Sequence, residues 1–206
     1  MIMGKREGLF VTFDGPNGVG KSSMLYGVAS RLTQLGFNVH ETKEPSSSPL
    51  GQFVRNAEED YNGRIYAGLI AADRYFHLDH EVLPYVSEGK IVLSDRYVES
   101  SFVLQRLDGV DIEFIWALNS RISIPDLSVI LTARPEVLDQ RLAQRNQFRR
   151  IEKNTSRAKE VIFYQEVVKI LSQYGFNILL IENSVNSLDR NVEEVIQKIL
   201  ALQESR

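Results

Sequence analysis

The 206-residue chain contains no cysteine, so its sequence excludes disulfide bonds and thiolate metal sites. It also lacks any apolar run near the about 18 residues that a membrane span needs, and its first eight residues lack the apolar segment of a signal peptide. Positive charge is not in excess, since the formal net charge is −3. Without a basic field, nucleic acid is disfavoured as a partner. We therefore expect a cytoplasmic protein that binds neither nucleic acid nor membrane.

What the sequence does contain is a phosphate-binding loop. Residues 15–23 read GPNGVGKSS, which fits the pattern G-x-x-x-x-G-K-[ST] between an apolar run and a helix-like segment. Backbone N–H groups of such a loop surround a phosphate, and the positive end of the following helix adds to the attraction. Lys21 is predicted to reach the β- and γ-phosphates of ATP, and the Ser22 hydroxyl to hold Mg²⁺. The predicted ATP-binding residues of the loop are Gly15, Asn17, Gly18, Val19, Gly20, Lys21, Ser22 and Ser23.

Short apolar runs alternate with longer amphipathic segments, which is typical of a parallel sheet covered by helices. Strands are predicted at residues 9–14, 37–42, 91–94, 127–132 and 178–181. Helices are predicted at residues 21–35, 50–59, 65–87, 113–120, 136–144, 158–174 and 189–203. The sequence thus predicts an α/β fold in which a five-stranded parallel sheet lies between two layers of helices. Residues 1–206 are expected to form one domain.

Polar residues follow the predicted strands. In a parallel α/β sheet, ligands bind at the carboxyl ends of the strands, so these residues are expected to form an active-site rim. Asp95 follows an apolar strand and suits water-mediated binding of Mg²⁺, although it could instead cap a helix that begins near Val98. Asn183, at the end of the last predicted strand, is placed in the predicted ATP site.

Six segments resemble, in order, the thymidylate kinase family of nucleoside monophosphate kinases. They are residues 10–23 (FVTFDGPNGVGKSS), 42–51 (TKEPSSSPLG), 71–74 (AADR), 91–101 (IVLSDRYVESS), 125–131 (PDLSVIL) and 145–152 (RNQFRRIE). The resemblance implies a P-loop kinase fold with a short lid over about residues 145–157, and a homodimer. It implies Mg²⁺-dependent phosphoryl transfer from ATP to a nucleoside monophosphate, above all from ATP to dTMP.

The resemblance also implies roles for single residues. Arg96 would grip the acceptor phosphate with its planar fork and would act in catalysis with Lys21 and Asp95. Asp14 would lie near the acceptor's sugar and phosphate, and Arg74 would bind a pyrimidine carbonyl. The full set implied for the acceptor site is Asp14, Lys43, Glu44, Pro45, Leu50, Ile70, Arg74, Arg96, Ser100, Ser101 and Leu104.

The segment that resembles the lid is rich in arginine. By resemblance, Arg145 would stack on adenine, and Arg149 and Arg150 would supply catalytic charge. Lid arginines of this kind occur in members whose phosphate loop has no arginine, and the variable loop position here is Val19. A basic, solvated helix end is the alternative interpretation.

The residues implied to contact the base depart from the family pattern. Ile70 stands where a phenylalanine stacks on thymine, and Leu104 where a tyrosine disfavours a ribose 2′-hydroxyl. Several alternatives therefore stay open. The acceptor could be another nucleotide-like monophosphate, or a deoxynucleoside with Glu44 as the base for its 5′-hydroxyl. The chain could also be a non-catalytic, nucleotide-binding regulator.

Overall fold

The computed structural model of the protein describes residues 8–143, 156–184 and 188–205. Its centre is a sheet of five parallel strands in the order β2-β3-β1-β4-β5, which confirms the predicted α/β fold. The strands are β1 (Leu9–Asp14), β2 (Val39–Lys43), β3 (Ile91–Asp95), β4 (Leu127–Thr132) and β5 (Ile178–Glu182). Strand β2 begins two residues later than predicted, because the Phe37 N–H donates to the Leu32 carbonyl and so completes the preceding helix end.

The helices of the described residues are α1 (Lys21–Gln34), α2 (Pro49–Asn56), α3 (Gly63–His77), α4 (Leu83–Ser87), α5 (Val98–Leu107), α6 (Ile112–Asn119), α7 (Pro135–Ala143), α8 (Arg157–Gln173) and α9 (Leu188–Glu204). A π-helical turn, Leu78–Val82, joins α3 to α4, so the helix predicted at residues 65–87 is interrupted. None of the helices in the described ranges is long and apolar enough to cross a membrane.

The sheet separates two apolar clusters. Because side chains alternate along a strand, Val11 and Phe13 of β1 pack against α1 and α9 on one face, whereas Phe10 packs against α5 and α8 on the other. Each fully buried Leu, Val or Phe side chain stabilises the fold by about 1.5–3 kcal/mol. The two clusters hold the sheet rigidly, so the loops at its carboxyl edge are fixed relative to one another.

Helix α5 was not among the predicted helices, because its first turn is capped by a distant residue. The N-cap position is Tyr97, whose side chain makes no capping hydrogen bond. Instead, Asp14 at the end of β1 accepts hydrogen bonds from the N–H groups of Tyr97 (3.2 Å) and Ser100 (2.9 Å). The alternative role suggested for Asp95, as the cap of this helix, is therefore wrong.

Candidate active site

The phosphate loop joins β1 to α1 through backbone conformations that favour glycine. Gly15 has φ 141° and Gly20 has φ 99°. A Cβ atom on Gly15 would lie 2.3 Å from the Leu131 carbonyl oxygen, so the loop needs a residue without a side chain there. Lys21, the first residue of α1, folds back over the loop. Its Nζ donates to the carbonyl oxygens of Gly15 at 2.8 Å and of Pro16 at 3.0 Å.

Lys21 lies in an environment that disfavours its charge. The side chain is buried, and this burial, followed by the positive charge of Arg96, lowers the pKa of Lys21 to about 7. The carboxylates of Asp14, Asp95 and Glu160 offset only part of that shift. A polyanion on the loop would restore the charge of the amino group, so the local electrostatics favour a phosphate ligand.

Ser22 and Asp95 meet beside the loop, as predicted for a Mg²⁺ site. Strand β3 is the parallel neighbour of β1, which brings Asp95 level with Phe13. The Ser22 hydroxyl donates to Asp95 Oδ2 at 2.8 Å, and Ser22 is exposed. Within the described residues, no group of three or more His, Cys, Asp and Glu side chains could hold a metal ion. One hydroxyl and one carboxylate fit Mg²⁺, which usually keeps several waters and binds the phosphates of its nucleotide.

Arg96 is held in an unusual backbone conformation. Its φ of 80° lies in the left-handed region, where a residue other than glycine costs about 1–3 kcal/mol and often marks a functional site. The guanidinium donates through Nη2 to Asn17 Oδ1 at 2.6 Å and through Nη1 to Ser100 Oγ at 2.8 Å. These contacts fix a planar cation between the phosphate loop and α5.

A cavity opens next to Arg96, between α3 and α5. Its free space is about 530 Å³ including the open mouth. On α3, Tyr66, Ile70 and Arg74 follow one another at four-residue spacing, which places them on one side of the helix. The residues that line the cavity are Asn17, Glu44, Pro45, Glu58, Tyr66, Ile70, Arg74, Arg96, Tyr97, Ser100, Ser101, Leu104 and Gln105.

The floor of the cavity carries a second, tightly held arginine. Arg74 is 1% exposed, and its guanidinium contacts Glu44 Oε2 at 2.8 Å. It also donates to Asn119 Oδ1 at 2.6 Å and to the Tyr97 carbonyl at 3.2 Å. Nearby, Gln105 Oε1 is buried without a hydrogen-bond partner in the described part of the chain. Gln105 also lines the cavity, and a buried oxygen without a partner is rare in folded proteins.

The comparisons with known proteins decide the family. A family model described as thymidylate kinase matches residues 13–192. The chain belongs to the thymidylate kinase family. It is 34% identical over 194 residues to a probable thymidylate kinase of Caldivirga maquilingensis, covering 92% of this chain and 93% of that one. It is 37% identical over 139 residues to a probable thymidylate kinase of Pyrobaculum aerophilum (66% and 70%), and 32% identical over 202 residues to a thymidylate kinase of Staphylococcus epidermidis (93% and 97%).

The thymidylate kinase resemblance placed eleven residues in the acceptor site, and eight of them line the cavity: Glu44, Pro45, Ile70, Arg74, Arg96, Ser100, Ser101 and Leu104. Three do not. Asp14 is fully buried, and its oxygens accept hydrogen bonds from Gly15, Tyr97, Ser100 and Tyr164, so it orders the site from below. Lys43 is exposed at the end of β2, and Leu50 lies half-buried on α2.

Most of the residues predicted to bind ATP lie together in the phosphate loop, and the others lie elsewhere. The loop residues lie together at the start of α1, but the side chain of Asn17 reaches Arg96 and the acceptor cavity. Asn183 supports the loop from outside, because its amide donates to the Val19 carbonyl at 2.8 Å. The three predicted lid arginines, Arg145, Arg149 and Arg150, lie outside the described residues.

Sequence reasoning missed several residues of the site. Glu160 on α8 is buried and accepts a hydrogen bond from the Asn17 N–H at 3.0 Å. The other oxygen of Glu160 lies 2.9 Å from Arg157 Nη1, and burial raises the pKa of Glu160. No local pattern links residues 143 positions apart. Tyr66 could have been found, because it lies one helical turn before Ile70 on the same side of α3.

Proposed function

We propose that the protein transfers the γ-phosphoryl group of ATP, with Mg²⁺, to dTMP to form dTDP. The observation that carries this proposal is the position of Arg96. Its guanidinium lies where the phosphate loop meets the cavity, bonded to Asn17 on one side and Ser100 on the other. A planar, fixed cation at that point suits an acceptor that itself carries a phosphate.

The roles of the chain's residues in this reaction follow from their charges and places. The backbone of the phosphate loop and Lys21 would bind the phosphates of ATP, and Arg96 would hold the acceptor phosphate in line with them. Ser22 and Asp95 would hold Mg²⁺, which supplies positive charge to the nucleotide's phosphate oxygens when it is bound. Buried cations in a site of low polarity stabilise the spread negative charge of the transition state more than the same groups would in water.

The acceptor's orientation in the cavity follows from the same contacts. With the phosphate at Arg96 and Ser100, the base would lie against Ile70 and Leu104. Arg74 lines the same cavity, with its guanidinium held by Glu44, Asn119 and the Tyr97 carbonyl. A fixed cation there suits a base with a carbonyl oxygen, which supports thymine.

The alternatives receive less support from the geometry. A deoxynucleoside kinase would need Glu44 as a base, but this carboxylate is buried in an ion pair with Arg74. A regulator that has lost its acceptor site would not need a cavity beside the phosphate loop with a fixed arginine at its entrance.

An acceptor panel tests the proposal. ATP, Mg²⁺ and each common nucleoside monophosphate, together with thymidine, are supplied in turn, and both ADP formation and the phosphorylated product are measured. We expect dTDP from dTMP, no dTMP from thymidine, and no turnover by Lys21→Ala that retains the wild-type melting temperature. Turnover of thymidine alone, or equal turnover by Lys21→Ala, would refute the assignment.

We also propose that the chain acts as a homodimer, with one catalytic domain over residues 1–206. Helix α3 carries an apolar row on the side away from the cavity, made of Ile65, Leu69, Ala72 and Phe76, and Ile65 is 64% exposed. A second copy would cover this row. Sedimentation of wild type and of Phe76→Glu tests this. A dimeric wild type and a monomeric variant are expected.

A cytoplasmic location stays a prediction, supported by the proposed use of ATP.

A further inference from the structure

A row of polar side chains leads away from the cavity towards the outer edge of the sheet. We call it the polar row, and it consists of Arg74, Glu44, His77, Thr42, Glu81 and His40. Arg74 and Glu44 line the cavity, whereas His77 lies behind them and is 1% exposed. His77 Nδ1 is 3.5 Å from Glu44 Oε1, a long hydrogen bond. The row therefore continues from the cavity floor into the interior.

The two ring nitrogens of His77 face different partners. Nε2 lies 2.7 Å from Thr42 Oγ1 and 3.7 Å from Glu81 Oε2, while Nδ1 faces Glu44. Glu44 is ion-paired with Arg74, and its carboxylate can only accept hydrogen bonds. Nδ1 is therefore the donor in its contact with Glu44 Oε1.

The outer end of the polar row lies on β2, a strand at one edge of the sheet. His40 Nε2 lies 2.9 Å from Glu81 Oε1. Burial alone would raise the pKa of Glu81, but hydrogen bonds from His40 and Thr42 outweigh it and hold this pKa below its usual value. Glu81 lies in the π-helical turn that follows His77, and such turns often occur at functional sites.

Glu44 connects His77 to acceptor binding. Its Oε2 accepts from Arg74 and its Oε1 from His77, and the residue is buried. Without the Nδ1 hydrogen, Oε1 would lack its partner, and the carboxylate would be free to turn away from Arg74. The guanidinium would then lose one of the three contacts that hold it at the cavity floor.

We propose that His77 is a positioning residue for acceptor binding, which holds Glu44 against Arg74 through Nδ1 and so fixes the guanidinium that faces the base. The inference rests on the proposed function, because it assumes that the acceptor's base lies at Arg74. His77 itself does not touch the acceptor, and the phosphate loop is outside its reach. The effect should therefore fall on the acceptor alone.

Two substitutions of His77 separate its two nitrogens. The Asn side-chain amide can occupy the place of Nδ1 and donate to Glu44, whereas that of Gln reaches the place of Nε2. We expect His77→Gln to raise KM for dTMP about fivefold, the effect of one lost hydrogen bond, and His77→Asn to stay within twofold of wild type. For both variants, KM for ATP and kcat should stay within twofold of wild type. Melting temperatures are recorded to check that the variants are folded.

Equal increases in KM for dTMP in both variants, an unchanged KM in a folded His77→Gln, or an equal increase in KM for ATP would overturn the proposal. Thr42→Val supplies a second test if the His77 variants do not fold. It removes the hydroxyl that contacts Nε2 and helps hold the ring against Glu44, so KM for dTMP should rise about threefold, and an unchanged KM would overturn the proposal by itself. Wild-type enzyme is assayed first. Failure to turn over dTMP counts against the proposed function, and the His77 comparison then uses whichever monophosphate is turned over.

Discussion

ATP binding should be coupled to proton uptake by Lys21. In the ligand-free protein, burial and the charge of Arg96 lower the pKa of this amino group to about 7. The phosphates of ATP would lie against the same group and raise its pKa again. The free protein therefore holds fewer protons on Lys21 than the complex does at any pH above about 6.

The size of the uptake follows from the pKa of the free protein. At pH 8, a group with a pKa of about 7 is roughly one-tenth protonated, so binding should take up about 0.9 proton once the pKa in the complex exceeds about 9.5. At pH 6 the uptake should fall to about 0.1 proton. Affinity for ATP should accordingly weaken as pH rises above 7, by up to about tenfold per pH unit.

Isothermal titration of MgATP in HEPES and in Tris measures this uptake, because the two buffers differ in ionisation enthalpy. Lys21→Met is expected to abolish the uptake at pH 8. Glu160→Gln is the matched control, because Glu160 also lies near the loop and has a raised pKa, yet its removal should leave most of the uptake intact. No uptake in the wild type at pH 8, or full uptake in Lys21→Met, would refute the reasoning.

Three further substitutions test other parts of the account. Arg96→Lys should lower kcat/KM for dTMP on the order of 100-fold, because a lysine cannot reproduce the planar fork. The double variant Ile70→Phe with Leu104→Tyr should lower KM for dTMP roughly three- to tenfold, because it adds an aromatic partner for the base. Glu99→Gln should be more stable than wild type above pH 7 by up to roughly 3 kcal/mol, as burial and then the Asp14 charge raise the pKa of Glu99 to about 7.

Each of these expectations has an outcome that contradicts it. Steady-state kinetics of Arg96→Lys that match wild type across dTMP concentrations would show that Arg96 does not bind the dTMP phosphate. Loss of dTMP turnover in the double variant would show that the base does not lie at Ile70. Because the pKa of Glu99 is raised, the wild type should lose stability as the pH rises from about 4.5 to 7. A difference in the free energy of unfolding between wild type and Glu99→Gln that does not change with pH would contradict this expectation.

The elements that are set by local sequence were predictable. Strands β1 and β4 begin and end as predicted, because both are mostly apolar runs buried on both faces of the sheet. The phosphate loop and the start of α1 follow from the glycines and from Lys21. A motif of this kind carries its own geometry, so no distant contact was needed to predict it.

Helix α5 shows where local reasoning stops. Glu99, Ser100 and Ser101 are buried polar residues, and they interrupt the apolar periodicity by which a helix is recognised. Their partners lie elsewhere in the chain, since Thr12 donates to Glu99 and the Ser100 hydroxyl donates to Asp14. Asp14, which the resemblance placed in the acceptor site, takes part in the same long-range bonding and does not line the cavity.

The site was predictable where residues follow strand ends, and not where helices meet. Asp95 was assigned because it follows an apolar strand, and Arg96 because the segment around it resembles the thymidylate kinase family. The contact of Glu160 with Asn17 depends on how α8 packs against the loop, and a single sequence contains no trace of that packing. The polar row likewise brings residues 40–44, at and after β2, together with residues 74–81 of α3 and the π-helical turn.

The central claim is that the cavity between α3 and α5 holds a nucleoside monophosphate with its phosphate at Arg96. A crystal structure of the protein with dTMP and a non-hydrolysable ATP analogue tests it most directly. The account predicts the dTMP phosphate within hydrogen-bond distance of the Arg96 guanidinium, and the thymine between Ile70 and Leu104. A dTMP phosphate bound away from Arg96, or dTMP bound outside this cavity, would contradict it.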